Sequence, residues 1–120
     1  YNNAIGYQTL YSLSSGQYND ALGYNALYSV TTGSSNIGLG GYAGNSVTTG
    51  SNNTLIGYGS NVNNGALTNA TAIGNGASVD ASNKMVLGNT SVNLVQTTGR
   101  LYTSNGTDAT TTSTGALQVT

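Results

Sequence analysis

The residues that could carry acid–base or metal chemistry in this chain are few. The acids are Asp20, Asp80 and Asp108, the bases are Lys84 and Arg100, and there is no Glu, His or Cys. Acid–base catalysis needs paired titrating groups, and covalent catalysis needs a nucleophile beside a base. No two of the acids lie close together in sequence. We therefore expect that the chain is not an enzyme and has no catalytic residues.

The low charge also excludes whole classes of partner and cofactor. Only 4% of the residues are charged, and the formal net charge is −1. A nucleic-acid-binding protein needs many Lys and Arg side chains to neutralise phosphates, and a calcium-binding β-roll needs Asp at fixed places in each turn. No apolar run has the length that spans a bilayer. We expect no cofactor, no metal, no nucleic-acid partner and no insertion into a membrane.

One segment imitates a cofactor-binding motif. Residues 38–43, GLGGYA, match the loose dinucleotide-binding pattern GxGxx(G/A). That pattern should open a helix and be followed by an acidic residue about 20 positions later. No helical segment follows here, and residues 58–66 contain no acid. We interpret these glycines as part of an internal repeat.

The internal repeat organises most of the chain. A small residue, then Ile or Leu, then Gly recurs at intervals of 17, 17, 17, 17 and 14 residues. The repeat glycines are Gly6, Gly23, Gly40, Gly57, Gly74 and Gly88. The aliphatic residues before them are Ile5, Leu22, Leu39, Ile56, Ile73 and Leu87. Asn recurs in the same register at Asn2, Asn19, Asn36 and Asn53, and Tyr recurs at Tyr7, Tyr24 and Tyr58.

The period of the repeat predicts a β-solenoid. Helical repeats need about 33 residues or more, whereas 17 residues fit one coil with two short strands and two turns. Strand alternation points Ile5 and Tyr7 to one side and Ala4 to the other. Stacked coils then place the six aliphatic repeat residues in one column, which we predict to be the structural core. The three residues missing from the last interval belong to a turn, so the strands stay in register.

Two columns of the repeat leave alternatives open. The repeat glycines fit a backbone position that needs positive φ or a bend. They also allow the close approach of a second chain, because glycine has no side chain. Such an approach would help a thin solenoid, which has little apolar mass of its own. Stacking brings Tyr7, Tyr24 and Tyr58 together, either as packing or as a recognition surface. The sequence alone assigns no receptor-binding residue.

The repeat ends after Gly88, which divides the chain into two parts. We predict a repeat region over residues 1–92 and a β-rich shaft or connector segment over residues 93–120. In the second part, Asn105-Gly106 is a hairpin-type turn signal, and residues 116–119 alternate again. The chain opens on Tyr1 in the middle of the pattern, so we interpret it as a segment of a longer protein.

The repeat units resemble the head repeats of trimeric autotransporter adhesins. The units that carry the resemblance are YNNAIGYQTLYSLSSGQ (1–17), YNDALGYNALYSVTTGS (18–34) and TNATAIGNGASVDASN (68–83). The resemblance covers residues 1–95 and implies a left-handed parallel β-roll wound from three chains. The usual unit of that family is shorter, and the longer unit looks more like the versions in bacteriophage tail fibres. The segment SNKMVLGNTSVNLVQTTGRLYTSNG (82–106) is similar to tail-fibre shafts.

The resemblance implies a structural and recognition role outside the cell. We expect an intertwined homotrimer in a bacteriophage tail fibre, with a host cell-surface glycan or protein and other virion or fibre proteins as partners. The alternative is the head of a bacterial trimeric autotransporter adhesin at the cell surface, which flanking sequence would distinguish. A remote alternative is an ice-binding β-solenoid. It would use the Thr-Thr pairs at 31–32 and 48–49, although 14–15 and 65–66 break that array.

Overall fold

The chain folds as an all-β solenoid in the computed structural model, which describes residues 1–96 and 98. These residues contain eight short strands and no helix. The strands are β1 (Asn3–Ile5), β2 (Asp20–Leu22), β3 (Ile37–Leu39), β4 (Thr54–Ile56), β5 (Asn61–Val62), β6 (Thr71–Ile73), β7 (Ser78–Val79) and β8 (Met85–Leu87). The predicted hairpin at Asn105-Gly106 and the strand over 116–119 lie outside the described residues.

One strand from each coil joins a parallel sheet of six strands, in the order β1-β2-β3-β4-β6-β8. Its register follows the sequence period, because Asn3 pairs with Asp20 and Asp20 pairs with Ile37. The last pair of strands places Thr71 opposite Met85, across the short interval of 14 residues. The predicted stacking of 17-residue coils is confirmed, and so is the prediction that the short interval keeps the strands in register.

A second sheet is confined to the later coils. β5 pairs with β7 in parallel, with Asn61 opposite Ser78. In the first two coils the equivalent place is a turn, in which Leu10 and Leu27 have φ values of 53° and 49°. Both leucine side chains are buried. The prediction of two short strands per coil therefore holds for the coils that contain β5 and β7, and a turn with an inward leucine replaces the second strand in the first two coils.

The middle residues of the strands line the inside of the six-stranded sheet, and where that residue is glycine a leucine reaches in from a turn. The middle residues Ala21, Leu55 and Ala72 are 3%, 0% and 0% exposed. In β3 this place is Gly38, where an added Cβ would lie 2.7 Å from Cγ of the fully buried Leu27. The other buried apolar residues are Leu10, Ala26, Val30, Ala43, Val47, Val62, Ala70, Ala77 and Val79. The core therefore combines glycine and alanine with leucine and valine, and a leucine fills the space beside Gly38.

The predicted core column lies on the outside of this sheet. Its six residues do stack, in pairs such as Ile5 with Leu22. Ile5, Leu22 and Leu87 are 65%, 49% and 48% exposed, and Leu39, Ile56 and Ile73 are half-buried. The prediction that this column forms the core of the chain is therefore wrong. Successive side chains of a strand point to opposite sides. Because the middle residue points inward, the aliphatic residue that follows it points outward.

The repeat glycines have positive φ and touch the next coil. φ is 135° at Gly23 and 125° at Gly40, in a region that side chains rarely allow. A Cβ on Gly23 would lie 2.6 Å from the carbonyl carbon and oxygen of Gly40. The prediction of positive φ is confirmed for this column. The close neighbour at these glycines is the next coil of the same chain.

The six-stranded sheet ends with β8. Beyond it, Gly88 packs against Val92, whose Cγ2 would lie 2.5 Å from a Cβ added to the glycine. Residues 93–96 form no strand or helix, and Leu94 and Val95 are 72% and 59% exposed. The predicted shaft over residues 93–120 falls mostly outside the described part of the chain.

Candidate functional site

A line of buried amides, which we call the asparagine ladder, fixes the coils to one another. It consists of Asn2, Asn19, Asn36 and Asn53, and the last three are fully buried. Nδ2 of Asn36 donates to Oδ1 of Asn19 at 3.0 Å and to the carbonyl of Gly50 at 2.9 Å. Oδ1 of Asn36 accepts from the backbone N and Nδ2 of Asn53 at 3.1 and 3.0 Å. Each inner rung thus uses both donors and both lone pairs of the carboxamide.

The asparagine ladder sets the stacking that every surface feature depends on. It lies one residue before the strands of the six-stranded sheet, where Tyr18, Ser35 and Asn52 bend the chain with φ values of 60°, 58° and 60°. At the far end, Ala70 replaces asparagine, and its backbone N donates to Oδ1 of Asn53 at 2.9 Å. The ladder therefore holds successive coils in a single register, so side chains 17 residues apart line up on the surface.

The first surface feature is the outward side of the six-stranded sheet, which we call the outer face. It carries the first and third residue of each strand, and the six aliphatic repeat residues run along it in one line. Ile37 and Met85 add further apolar area, with Met85 62% exposed. Contiguous exposed apolar surface of this kind marks a contact region.

One charged residue lies on the outer face. Asp20 falls in the column of Asn3 and Thr54, as the period predicts. Its carboxylate accepts a hydrogen bond from Nδ2 of Asn3, and its neighbour across β3 is Ile37. The carboxylate therefore lies near the β1 end of a face whose other side chains are uncharged.

The second surface feature is a row of four rings, which we call the tyrosine ladder. It consists of Tyr7, Tyr24, Tyr42 and Tyr58. The first two rings are stacked, with centroids 5.4 Å apart and planes 14° apart. Tyr42 stands edge-on to Tyr24 and to Tyr58, with centroids 5.2 and 5.7 Å apart. Tyr7, Tyr24 and Tyr58 remain 64%, 47% and 61% exposed, so the stacking predicted for these three leaves much of each ring in solvent.

Tyr42 joins the row from a position that the repeat does not predict. The repeat tyrosine is replaced by Gly41, and a Cβ there would lie 3.2 Å from Cδ2 of Tyr58. The next residue, Tyr42, has a φ of 58°, which brings its ring between Tyr24 and Tyr58. Burial raises the pKa of Tyr42 above its ordinary value of 10.0, and the neighbouring hydroxyls of Tyr24 and Tyr58 raise that pKa further.

Two more tyrosine pairs stack between the first two coils. Tyr1 and Tyr18 have ring centroids 5.5 Å apart, and Tyr11 and Tyr28 have centroids 5.2 Å apart. The two rings of each pair are nearly parallel, with interplanar angles of 3° and 2°. Neither pair continues into the third coil, where Ser35 and Asn45 take the equivalent places. The tyrosine ladder is the longer aromatic surface.

The charged side chains within residues 1–96 lie in two separate places. Asp80 follows β7 and pairs with Lys84, with Nζ 2.7 Å from Oδ1. This hydrogen bond lowers the pKa of Asp80. Asp20 lies at the other end of the sheet, and Asp108 lies outside the described residues. In the same range no three acidic, His or Cys side chains are grouped to hold a metal ion.

The two remaining sequence motifs are parts of the coil. In segment 38–43, β3 runs into a turn, and Gly38 makes room for Leu27. The Thr-Thr pairs stack as the period predicts, because the backbone N of Thr31 donates to the carbonyl of Thr48 at 2.9 Å. The hydroxyl of Thr31 donates to the same carbonyl at 3.3 Å. Ser14 and Gly65 flank this array, which is therefore two coils tall.

Sequence reasoning missed two parts of this arrangement. The asparagine ladder repeats visibly in the sequence, but a role was not assigned to it. The available signal was a glycine 14 residues after each of the first three ladder asparagines, at Gly16, Gly33 and Gly50. The carbonyls of these glycines accept hydrogen bonds from the asparagine Nδ2 atoms. Tyr42 was missed because it lies one position away from the repeat tyrosine.

Comparison with known proteins adds no relative to this description. Neither known protein families, nor curated proteins, nor solved structures gave a match to the chain. A membrane-spanning helix was sought in the described residues, and none was found.

Proposed function

We propose that this chain is a structural and recognition segment of an extracellular homotrimeric fibre of the bacteriophage tail-fibre kind, which projects towards a host surface. The observation that carries the proposal is the outer face. A single chain leaves a continuous line of six aliphatic side chains partly or largely in solvent, from Ile5 to Leu87. Burial of such a line between copies removes apolar surface from water and stabilises the assembly.

Three chains related by a common axis suit this face because it runs the full height of the sheet. Parallel copies in the same register would bring equal heights of the sheet together, so Leu22 would meet its own copies and Leu39 its own. The extracellular location and the fibre come from the resemblance of residues 1–95 to head repeats and tail-fibre units. The low charge is compatible with a surface that contacts neutral partners.

The alternative is the head of a bacterial trimeric adhesin. It predicts the same trimer and the same outer face, and the neighbouring protein sequence decides between the two. An anchor barrel and a coiled-coil stalk would favour the adhesin, whereas a virion-assembly domain would favour the fibre. The remote ice-binding alternative would instead use the two-coil threonine array, and a measurement of thermal hysteresis tests it directly.

A charge placed on the outer face tests the proposed trimer. Leu39 is the last residue of β3, one of the two middle strands of the sheet, and its side chain is half-buried in the single chain. We expect Leu39→Asp to convert the trimer to monomers at micromolar concentration, because three carboxylates would otherwise be desolvated at the interface. Sedimentation equilibrium measures the mass, and circular dichroism checks that the β-structure persists.

The matched control is Thr32→Asp, which adds the same charge at an exposed turn position. We expect this variant to keep the mass of the unsubstituted protein. Equal masses for the two variants, with both folded, would contradict the assignment of the interface to the outer face.

A further inference from the structure

We propose that the tyrosine ladder is a binding platform for a neutral glycan whose chain lies along the axis of the solenoid. This inference rests on the proposed function, since it gives the recognition segment a site and a ligand class. The platform consists of Tyr7, Tyr24, Tyr42 and Tyr58, one ring from each of four successive coils. Coils follow one another at about 4.8 Å, so the rings offer regularly spaced contacts to an extended polymer.

The exposure of the rings supports binding rather than packing alone. Tyr7, Tyr24 and Tyr58 stay 64%, 47% and 61% exposed after their mutual contacts are made. Ring contacts hold Tyr42 between Tyr24 and Tyr58, so the row is ordered before any ligand arrives. Aromatic side chains with few rotatable bonds lose little entropy on binding, which favours them in recognition surfaces.

The chemistry of the row fits a sugar. Tyr7 and Tyr24 stack face to face, so the row offers a sugar the ring edges and phenol hydroxyls that stay exposed. The ring edges contact the C–H groups of a pyranose, and the phenol hydroxyls donate and accept hydrogen bonds with its hydroxyls. The column of the repeat tyrosines continues into later coils as Asn75 and Asn89, and both are exposed. Rings followed by carboxamides on one line supply the apolar and polar contacts that a glycan requires.

The charge distribution selects a neutral ligand. In residues 1–96 the charged side chains are Asp20, Asp80 and Lys84, and none of them belongs to the tyrosine ladder. Asp20 is hydrogen-bonded to Asn3 and Asp80 is paired with Lys84. The row therefore offers no cation to an anionic polysaccharide, and complementarity favours an uncharged glycan.

Calorimetry on the full chain tests the proposal. The probes are soluble hexasaccharides of glucose, mannose and N-acetylglucosamine, with an oligogalacturonate as the anionic comparison. We expect at least one neutral probe to bind and the anionic probe not to bind. Tyr7→Ala and Tyr58→Ala should each raise the Kd for that neutral probe about tenfold, because each substitution removes one of the four rings of the platform.

The control variant is Tyr11→Ala. Tyr11 resembles Tyr7 in exposure, at 66% against 64%, and in its stacking on the next coil, at 5.2 against 5.4 Å. We expect Tyr11→Ala to change the Kd less than twofold. No binding of any neutral probe at millimolar concentration, or equal losses in the Tyr7 and Tyr11 variants, would overturn the proposal.

Two further measurements separate this inference from the proposed trimer. Nitration of tyrosines followed by mass spectrometry should modify Tyr7 and Tyr58 in the assembled protein, and protection of both while Tyr11 reacts would show that a second copy covers the row. Sedimentation equilibrium on the same sample gives the mass. A trimer without glycan binding overturns the inference alone, whereas a monomer overturns the proposed assembly.

Discussion

Side-chain amides carry much of the connection between coils at the scale of single residues. Asn36 is completely buried and makes four hydrogen bonds to neighbouring coils, through Asn19, Gly50 and Asn53. Networks of this kind are strong when every member is satisfied and costly when one member is lost. Because ionic side chains are nearly absent, these neutral side-chain bonds add to the backbone hydrogen bonds between coils without help from ion pairs along the ladder.

Removal of one buried rung should destabilise the fold strongly. Asn36→Ala removes the acceptor of the buried backbone N of Asn53 and the donor to the carbonyl of Gly50. It also takes one of two hydrogen bonds from Oδ1 of Asn19 and from Nδ2 of Asn53. We therefore expect the free energy of unfolding to fall by about 2–4 kcal/mol. Asn89→Ala is the control, because Nδ2 of Asn89 donates to the carbonyl of Asn75 at 2.8 Å at an exposed site, and it should cost less than about 1 kcal/mol. Denaturant titration at one fixed protein concentration compares them, and equal losses would contradict a special role for the buried ladder.

The raised pKa of Tyr42 makes alkaline pH a probe of the tyrosine ladder. The folded state disfavours the ionised phenolate, so the unfolded chain releases this proton first, near the ordinary pKa of 10.0. The contribution of Tyr42 to the free energy of unfolding is therefore complete below about pH 10, and it is lost as the pH rises through the higher pKa of the folded state. We expect Tyr42→Phe to reduce the slope of stability against pH above 10, as thermal melts between pH 8 and 12 would show. An unchanged slope would contradict the prediction.

The strands are short, and the glycines between them decide how closely coils stack. Each strand of the six-stranded sheet has three residues, so one coil alone forms no stable sheet. At Gly40 the backbone has φ of 125°, and an added Cβ would lie 2.8 Å from the carbonyl of Gly57. The distance between successive coils therefore depends on the absence of a side chain at Gly40.

Alanine at Gly40 should break the stack, whereas alanine at Gly59 should not. Gly59 also has positive φ, 64°, but nothing lies within 4 Å of an added Cβ. We expect Gly40→Ala to lower the free energy of unfolding by at least about 3 kcal/mol, since backbone strain and a backbone clash combine. Gly59→Ala should cost about 1–2 kcal/mol from its left-handed conformation alone. Comparable losses in denaturant titration would show that the close approach of coils is not limiting.

The sequence predicted the elements better than it predicted which side of them is buried. The period placed Asn3 opposite Asp20 and Thr71 opposite Met85, as observed. Hydrophobicity, however, favoured Ile5 and its column for the inside, and alternation over three residues cannot distinguish the two faces. The buried face is set by contacts such as Leu27 against Gly38, which join residues from different coils.

The candidate site was predictable only in part for a related reason. Tyr7, Tyr24 and Tyr58 share a repeat position, so their common column follows from the period. Tyr42 enters the row because a positive φ redirects its side chain beside Gly41. A conformation of that kind is set by the local turn and is invisible to a column-by-column alignment of the repeat.

For the molecule as a whole, the outer face links the fold to the proposed function. The chain buries glycine, alanine, leucine and valine inside the coils and also displays a line of large aliphatic residues outside. A stable lone domain would bury such a line. Three copies sharing this face would bury it and leave the tyrosine ladder and the turns to meet other surfaces. Because the same surface would repeat in each copy, many weak contacts with a host surface would together give a high overall affinity.

The native mass of residues 1–120 tests this account most directly. Sedimentation equilibrium of the unsubstituted chain should give about three times the chain mass of 12.0 kDa, at protein concentrations from micromolar upward. That result would support burial of the outer face between three copies. A folded monomer at every concentration would contradict the account, because the line from Ile5 to Leu87 would then remain in water.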